Sequence, residues 1–231
     1  MRVGLLTGGG DCPGLNAVIR AVTKSLIGMC DAEVVGIEDG FAGLMEKRTR
    51  PLDWRAVSGI LAHGGTILGT SNRANPLATE EATQLALSNA NALGLDALVA
   101  VGGDGTMTIS HGLAKRGLPI VGVPKTIDND IEGCERSFGF DTAVATVAQA
   151  LERVQTTGQS HGRVMIVETM GRYSGWIALE AGIAGAADVI LLPEIDYDLD
   201  KVVKVCSDRE QRQRYTVICI GEGAKMLGGS V

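Results

Sequence analysis

Apolar residues recur along the chain in two alternating rhythms. Short runs dense in Val, Ile and Leu, at 3–6, 33–37, 97–101, 120–123, 164–168, 189–192 and 216–220, have the near-continuous hydrophobicity of strands covered on both faces. Longer stretches between them, at 15–27, 80–93, 106–115, 142–155 and 199–212, repeat apolar residues every three or four positions, the period of a helix with one buried side, and the almost wholly apolar stretch at 176–184 reads as a further helix. Strands that alternate with helices need crossover connections. The pattern therefore predicts a mostly parallel sheet with helices on both faces, a doubly wound α/β architecture. A polar stretch around Ser137-Phe138-Gly139 leads into the helix at 142–155 and marks the expected break between two such domains, 1–138 and 139–231.

Composition adds one thing to this picture, the glycines. There are 32 in 231 residues, with no collagen-like or linker-like repeat, so they are expected to hold turns and ligand contacts. They cluster where strands hand over to helices: Gly8-Gly9-Gly10-Asp11 after the first strand, Gly102-Gly103-Asp104-Gly105 after the third, Met170-Gly171-Arg172 after the fifth. In open α/β sheets those are the places where ligands gather, because backbone N–H groups and helix N-termini point there.

Charge and composition then remove partner classes. A net charge of −6, aromatics at only 3% and no run of Lys or Arg argue against nucleic acid. No apolar run approaches the roughly 20 residues needed to span a bilayer, so no membrane association is expected. Five cysteines, an odd number without CxxC spacing, fit reduced thiols and a cytoplasmic setting.

In Gly102-Gly103-Asp104-Gly105-Thr106, a tight turn would let a phosphate approach the backbone while the following helix lends its positive end. Asp104 would repel that phosphate unless a cation lay between them, which points to Mg²⁺; the plain alternative is an ordinary helix-capping Asp. Pro124-Lys125-Thr126-Ile127-Asp128-Asn129-Asp130 places two carboxylates two residues apart, on similar sides of an extended chain. Asp128 is the better candidate base for an attacking hydroxyl, with Lys125 neutralising charge on a transferring phosphoryl group; the plain alternative is a solvated Asx-rich turn. In Met170-Gly171-Arg172 the glycine permits close approach and the Arg offers a planar fork. Arg163, one strand earlier, would serve the same ligand, unless either Arg is only a surface ion pair.

Together, in this order and spacing, Gly8-Gly9-Gly10-Asp11-Cys12-Pro13-Gly14, Gly102-Gly103-Asp104-Gly105, Pro124-Lys125-Thr126-Ile127-Asp128-Asn129-Asp130 and Met170-Gly171-Arg172 resemble the 6-phosphofructokinase family along essentially the whole chain. The TIDND and MGR segments are the most specific, because NAD kinases and lipid kinases share the GGDG turn but not these. The resemblance implies a phosphofructokinase-like fold of two doubly wound domains, the first binding ATP and Mg²⁺, the second the sugar phosphate. It implies that Gly10, Arg73, Gly103, Asp104, Gly105 and Thr106 contact the phosphoryl donor, with Asp104 on magnesium. Thr126, Ile127, Asp128, Arg163, Met170, Gly171, Arg172 and Glu222 would contact fructose 6-phosphate, and Asp128 would accept the proton of the sugar 1-hydroxyl. The residue matching Arg163 usually reaches across from a neighbouring subunit, which implies a homodimer or homotetramer.

Two positions speak to the donor. Gly105 leaves room for the α-phosphate of ATP, where many pyrophosphate users of the family carry an Asp. Lys125 matches the pyrophosphate users. The pair resembles the mixed-substrate subgroup, and ATP is favoured on steric grounds, with pyrophosphate as the alternative donor. Family members normally continue well beyond Glu222, into an Arg and a His-x-x-Arg pair that grip the sugar 6-phosphate. Here only nine residues follow Glu222, and the three histidines (His63, His111, His161) all precede that region, so the second half is expected to be incomplete at its C-terminus. A truncated, non-catalytic nucleotide-binding paralogue and a kinase for another sugar phosphate or nucleoside are the competing expectations. Arg20 and Lys24, four apart near positions where family members bind effectors, read as a solvated helix face.

Overall fold

The computed structural model describes residues 1–213 and 215–228. The chain divides into two compact units: Met1–Thr126 with Ile131–Gly139, and Ile127–Asp130 with the chain from Phe140 onward.

The first unit contains β1 (Arg2–Thr7), α1 (Leu15–Cys30), β2 (Glu33–Ile37), α2 (Phe41–Glu46), β3 (Thr49–Leu52), α3 (Glu80–Ala92), β4 (Ala97–Gly102), α4 (Asp104–Ala114), β5 (Ile120–Thr126) and β6 (Phe138–Gly139). They form one sheet in the order β3-β2-β1-β4-β5-β6. Every neighbouring pair is parallel except β2 with β3. Successive side chains of a strand point to opposite faces, and over the central strands β1 and β4 both faces are covered. Val3, Leu5, Val99 and Val101 pack with Leu15, Val18 and Ile19 of α1. Leu6, Leu98 and Ala100 pack on the other face with Ala86 and Ala90 of α3 and Leu113 of α4.

The second unit contains α5 (Phe140–His161), β7 (Val164–Thr169), α6 (Trp176–Ala184), β8 (Val189–Leu191), α7 (Leu199–Gln213) and β9 (Thr216–Gly221), with a parallel sheet ordered β7-β9-β8. Leu151, Ala178, Val217 and Cys219 form its core.

Every strand expected from the sequence is present to within a few residues, and the fold is the parallel α/β type anticipated. Three elements were not legible. Helix α2 is six residues long with a glycine inside, too short for a period to show, and β6 has only two residues. Strand β3 reads Thr-Arg-Pro-Leu and pairs antiparallel at the sheet edge, the position where a proline is tolerated. Burial on both faces also fails for β5, where Val121 and Gly122 are exposed, and for the edge strand β7, where Val164, Ile166 and Glu168 are exposed while Met165 and Val167 join the core.

All five cysteines are free. Burial pushes the Cys219 thiol up to about 11, and thiolate is the reactive form. Alkylation of the native protein at pH 8 should therefore label exposed Cys30 first and spare Cys219, a pattern that peptide mass mapping reads directly.

Candidate active site

Strand β1 lies between β2 and β4, and the helices that follow β1 and β4 leave to opposite faces of the sheet, α1 to one and α4 to the other. The chain thus opens a crevice at the carboxyl ends of β1 and β4, the switch point where ligands of doubly wound sheets bind. Both glycine turns fall there. A cleft of about 690 Å³ in the first unit is lined by Gly9, Gly10, Gly103, Asp104, Gly105, Thr106 and Lys125, with Phe41, Ser71, Asn72 and Asn75 completing the wall.

Asp104 is the first residue of α4, and the cap position belongs to Gly103, which has no side chain to bond with. The helix-capping reading of Asp104 therefore fails, since a capping Asp must precede the helix. Its exposed carboxylate sits instead at the positive end of the helix, inside the cleft. Among the described residues no group of three or more His, Cys, Asp or Glu could hold a metal ion by itself. One carboxylate, completed by phosphate oxygens and water, is how Mg²⁺ is commonly bound, so the donor set fits a magnesium ion that arrives with a phosphorylated ligand.

The glycines around Asp104 have different causes. A Cβ on Gly8 would lie 2.7 Å from Thr106 Oγ1, and one on Gly102 would strike the same side chain, so both make room for buried Thr106. At Gly105 a Cβ would meet nothing within 4 Å, and the backbone is not left-handed. Glycine in a helix costs roughly 0.5–1 kcal/mol relative to Ala, and neither packing nor backbone explains it here. The space it leaves belongs to the cleft.

Strand β5 runs through Pro124 and Lys125 to Thr126, further than the hydrophobic pattern suggested; Pro124 forms the last rung with β4. Lys125 is consequently buried at 5% exposure, and its Nζ donates to the Gly10 carbonyl at 2.6 Å. The loop before α3 also reaches the cleft. Buried Asn16 fastens it, accepting from Ile67 N at 2.8 Å and donating to the carbonyls of His63 and Gly64. Thr7 Oγ1 donates to Gly69 O at 2.7 Å and Thr70 Oγ1 to Gly9 O at 2.6 Å. Arg73 is on this loop but lines a neighbouring recess with Asp39, Glu46 and Arg48; its neighbours Ser71 and Asn72 line the cleft.

In the second unit the candidate acceptor residues gather at the carboxyl ends of β7 and β9. Glu222 N donates to Thr169 O at 2.9 Å and Gly223 N to Gly171 O at 3.2 Å, which sets Glu222 beside Met170-Gly171-Arg172. Asp128 belongs to this group: Ser174 Oγ donates to its backbone carbonyl at 3.1 Å. Burial pushes the Asp128 carboxyl above the usual Asp range, and the negative charges of Asp130 and Glu222 raise it further. The Arg172 guanidinium lies over the Tyr173 ring, 5.2 Å from its centroid. The chain is not extended through TIDND as the spacing suggested, because Asn129 is left-handed at φ 53°, a conformation Asn tolerates better than most residues.

Arg163 is not with them. It precedes β7, whereas Met170 to Arg172 follow it, and the six-residue strand between them spans about 20 Å. The expectation that Arg163 serves the same ligand within one chain is therefore corrected.

The phosphofructokinase family model matches residues 2–230. The chain belongs to the phosphofructokinase family. It is 52% identical over 232 residues to the ATP-dependent 6-phosphofructokinase 2 of Streptomyces coelicolor, covering 100% of this chain and 68% of that protein. It is 47% identical over 232 residues to a pyrophosphate–fructose 6-phosphate 1-phosphotransferase of the same organism, with the same two coverages. The phosphofructokinase structure from Saccharomyces cerevisiae superposes with a TM-score of 0.87 at 33% identity, over 97% of this chain and 34% of that one. The chain thus spans about two thirds of the length of these bacterial relatives.

For a phosphofructokinase, the sequence reading overlooked several residues that shape the site. Thr70, Ser71 and Asn72 lie in a loop without periodicity, beside Arg73, the one residue of that stretch to which the resemblance gave a role. Gly223 had a signal, the Gly221-Glu222-Gly223 triplet directly after a strand. A Cβ on Gly223 would run into the Arg172 backbone carbonyl, so this glycine is what lets the Glu222 and Arg172 turns touch. Gly223→Ala should displace Arg172 and destabilise the unit by about 1–3 kcal/mol, read as a lowered midpoint in denaturant. An unchanged midpoint would mean the turn has slack that its geometry does not suggest.

Proposed function

We propose that this protein is an ATP-dependent 6-phosphofructokinase, transferring the γ-phosphoryl group of MgATP to the 1-hydroxyl of fructose 6-phosphate. One observation carries the reading: a carboxyl raised by burial, Asp128, stands with Glu222, Gly171 and Arg172 at the ends of parallel strands. A base must be near its acceptor and not too weak, and Asp128 meets the second condition better than a solvated Asp would.

In this reading Asp128 takes the proton of the sugar 1-hydroxyl, while Thr126, Ile127, Met170, Gly171, Arg172 and Glu222 hold the sugar phosphate. Arg172 presents its fork of donors to the charge that develops during transfer. Gly10, Gly103, Gly105 and Thr106 take the donor phosphates by backbone and hydroxyl groups, Asp104 holds Mg²⁺, and Arg73 turns to the phosphates when they are present. Bound Mg²⁺ supplies charge neutralisation on the phosphoryl oxygens. Arg163, remote from its own Arg172, serves the site of a neighbouring subunit in a homodimer or homotetramer. The setting is cytoplasmic; among the described residues no helix is long and apolar enough to cross a membrane.

Pyrophosphate is the second reading, favoured by Lys125 in the cleft and by the relative named as a pyrophosphate enzyme. A coupled assay of fructose 1,6-bisphosphate formation with MgATP and with pyrophosphate tests both, and calorimetry with MgATP runs alongside. ATP-driven turnover is expected. Calorimetric binding without turnover would replace the kinase by a non-catalytic nucleotide-binding protein.

A further inference from the structure

A glycine turn binds anions only if its N–H groups, not its carbonyls, face the ligand. Around Gly9 and Gly10 the two kinds of group are sorted. The Gly9 carbonyl accepts from Thr70 Oγ1 at 2.6 Å and the Gly10 carbonyl from Lys125 Nζ at 2.6 Å. The N–H groups of Gly9, Gly10 and Asp11 have no acceptor among the described residues, although Gly8 N upstream bonds Val101 O at 2.9 Å. Gly9 is left-handed at φ 81°, the kind of turn that brings successive N–H groups into one concavity.

We infer that Thr70 and Lys125 are positioning residues for the phosphoryl donor: they hold the Gly9 and Gly10 carbonyls so that the turn after β1 presents its free N–H groups to the donor's phosphates. This rests on the ATP reading above and deepens it. It also reconciles Gly105 with Lys125. The ammonium is bonded to the turn, a role an ATP user needs as much as a pyrophosphate user, so the lysine does not by itself select the donor. Thr70, which no sequence motif marked, is the uncharged half of the device.

Thr70→Val removes the hydroxyl at nearly constant volume and leaves the charge of the cleft unaltered, so it is a cleaner probe than any change at Lys125. With the hydroxyl gone, the Gly9 carbonyl is free to turn toward the phosphates. The KM for MgATP should rise on the order of tenfold, the effect of one lost hydrogen bond, with the KM for fructose 6-phosphate within twofold of wild type. Thr70→Ser keeps the hydroxyl and should restore the KM for MgATP. Calorimetric MgATP binding should follow the same order. A Thr70→Val protein with an unaltered KM for MgATP, or one that loses only thermal stability, would overturn the inference. So would equal rises in both KM values. Wild-type protein that makes no fructose 1,6-bisphosphate would instead overturn the functional reading, while the calorimetric series would still report on the turn.

Discussion

Asp128→Asn should lower kcat for fructose 1,6-bisphosphate formation by on the order of 10²–10⁴-fold, the range general-base catalysis contributes, and leave the fold intact. The amide has nearly the shape of the carboxyl, and the bond from Ser174 Oγ goes to the backbone carbonyl, which the substitution retains. Stability should move the other way. In the folded protein the carboxyl is raised above its ordinary 3.8, mainly by burial and then by Asp130 and Glu222. Well below 3.8 the group is protonated whether folded or not and has no effect. As pH rises from there through the folded value, the folded state keeps a proton that the unfolded state releases, so wild-type stability falls. Asparagine escapes that loss. Its melting temperature should exceed wild type at pH 7, and the difference should shrink as pH falls toward 3.8. The same shift places the acid limb of wild-type kcat above 3.8, since the base must be ionised to act. A variant that keeps more than a tenth of wild-type kcat would remove Asp128 from the role of base.

How far the sequence reached differs between fold and site. The rhythm of apolar residues located the strands because a strand covered on both faces must be apolar throughout, as Leu5 and Leu6 illustrate by packing into opposite cores. The rhythm was silent where few residues decide the element, hence the missed α2, β3 and β6; it located β7 but not the solvent-facing side of that strand. Motif residues such as Asp104, Lys125, Asp128 and Arg172 were legible because their chemistry is unusual for the places they occupy. What joins them was not. That the turns after β1 and β4 share one crevice follows from strand order, and strand order depends on crossovers that leave no local mark. Thr70 on Gly9, Ser174 on Asp128 and Gly223 under Arg172 are likewise long-range contacts made by residues that look ordinary in their own segments.

Gly105→Asp should separate the two donors. Among the described residues, a Cβ at Gly105 meets no atom within 4 Å outside its chain neighbours and its own helix backbone, and the backbone is not left-handed. The position lies in the first turn of α4, where an acidic residue is favourable to the helix, so the melting temperature should hold or rise slightly. Any loss must then come from the ligand. A carboxylate beside Asp104 would crowd and repel the α-phosphate of ATP, and like charges set face to face cost several kcal/mol. The ratio kcat/KM for MgATP should fall on the order of a hundredfold or more. Pyrophosphate has no third phosphoryl group and no nucleoside, so whatever activity it supports should fall far less. If both donors lose equally, or neither does, the open space at Gly105 is not where the α-phosphate lies. The glycine would then need another cause, which the packing around α4 does not supply.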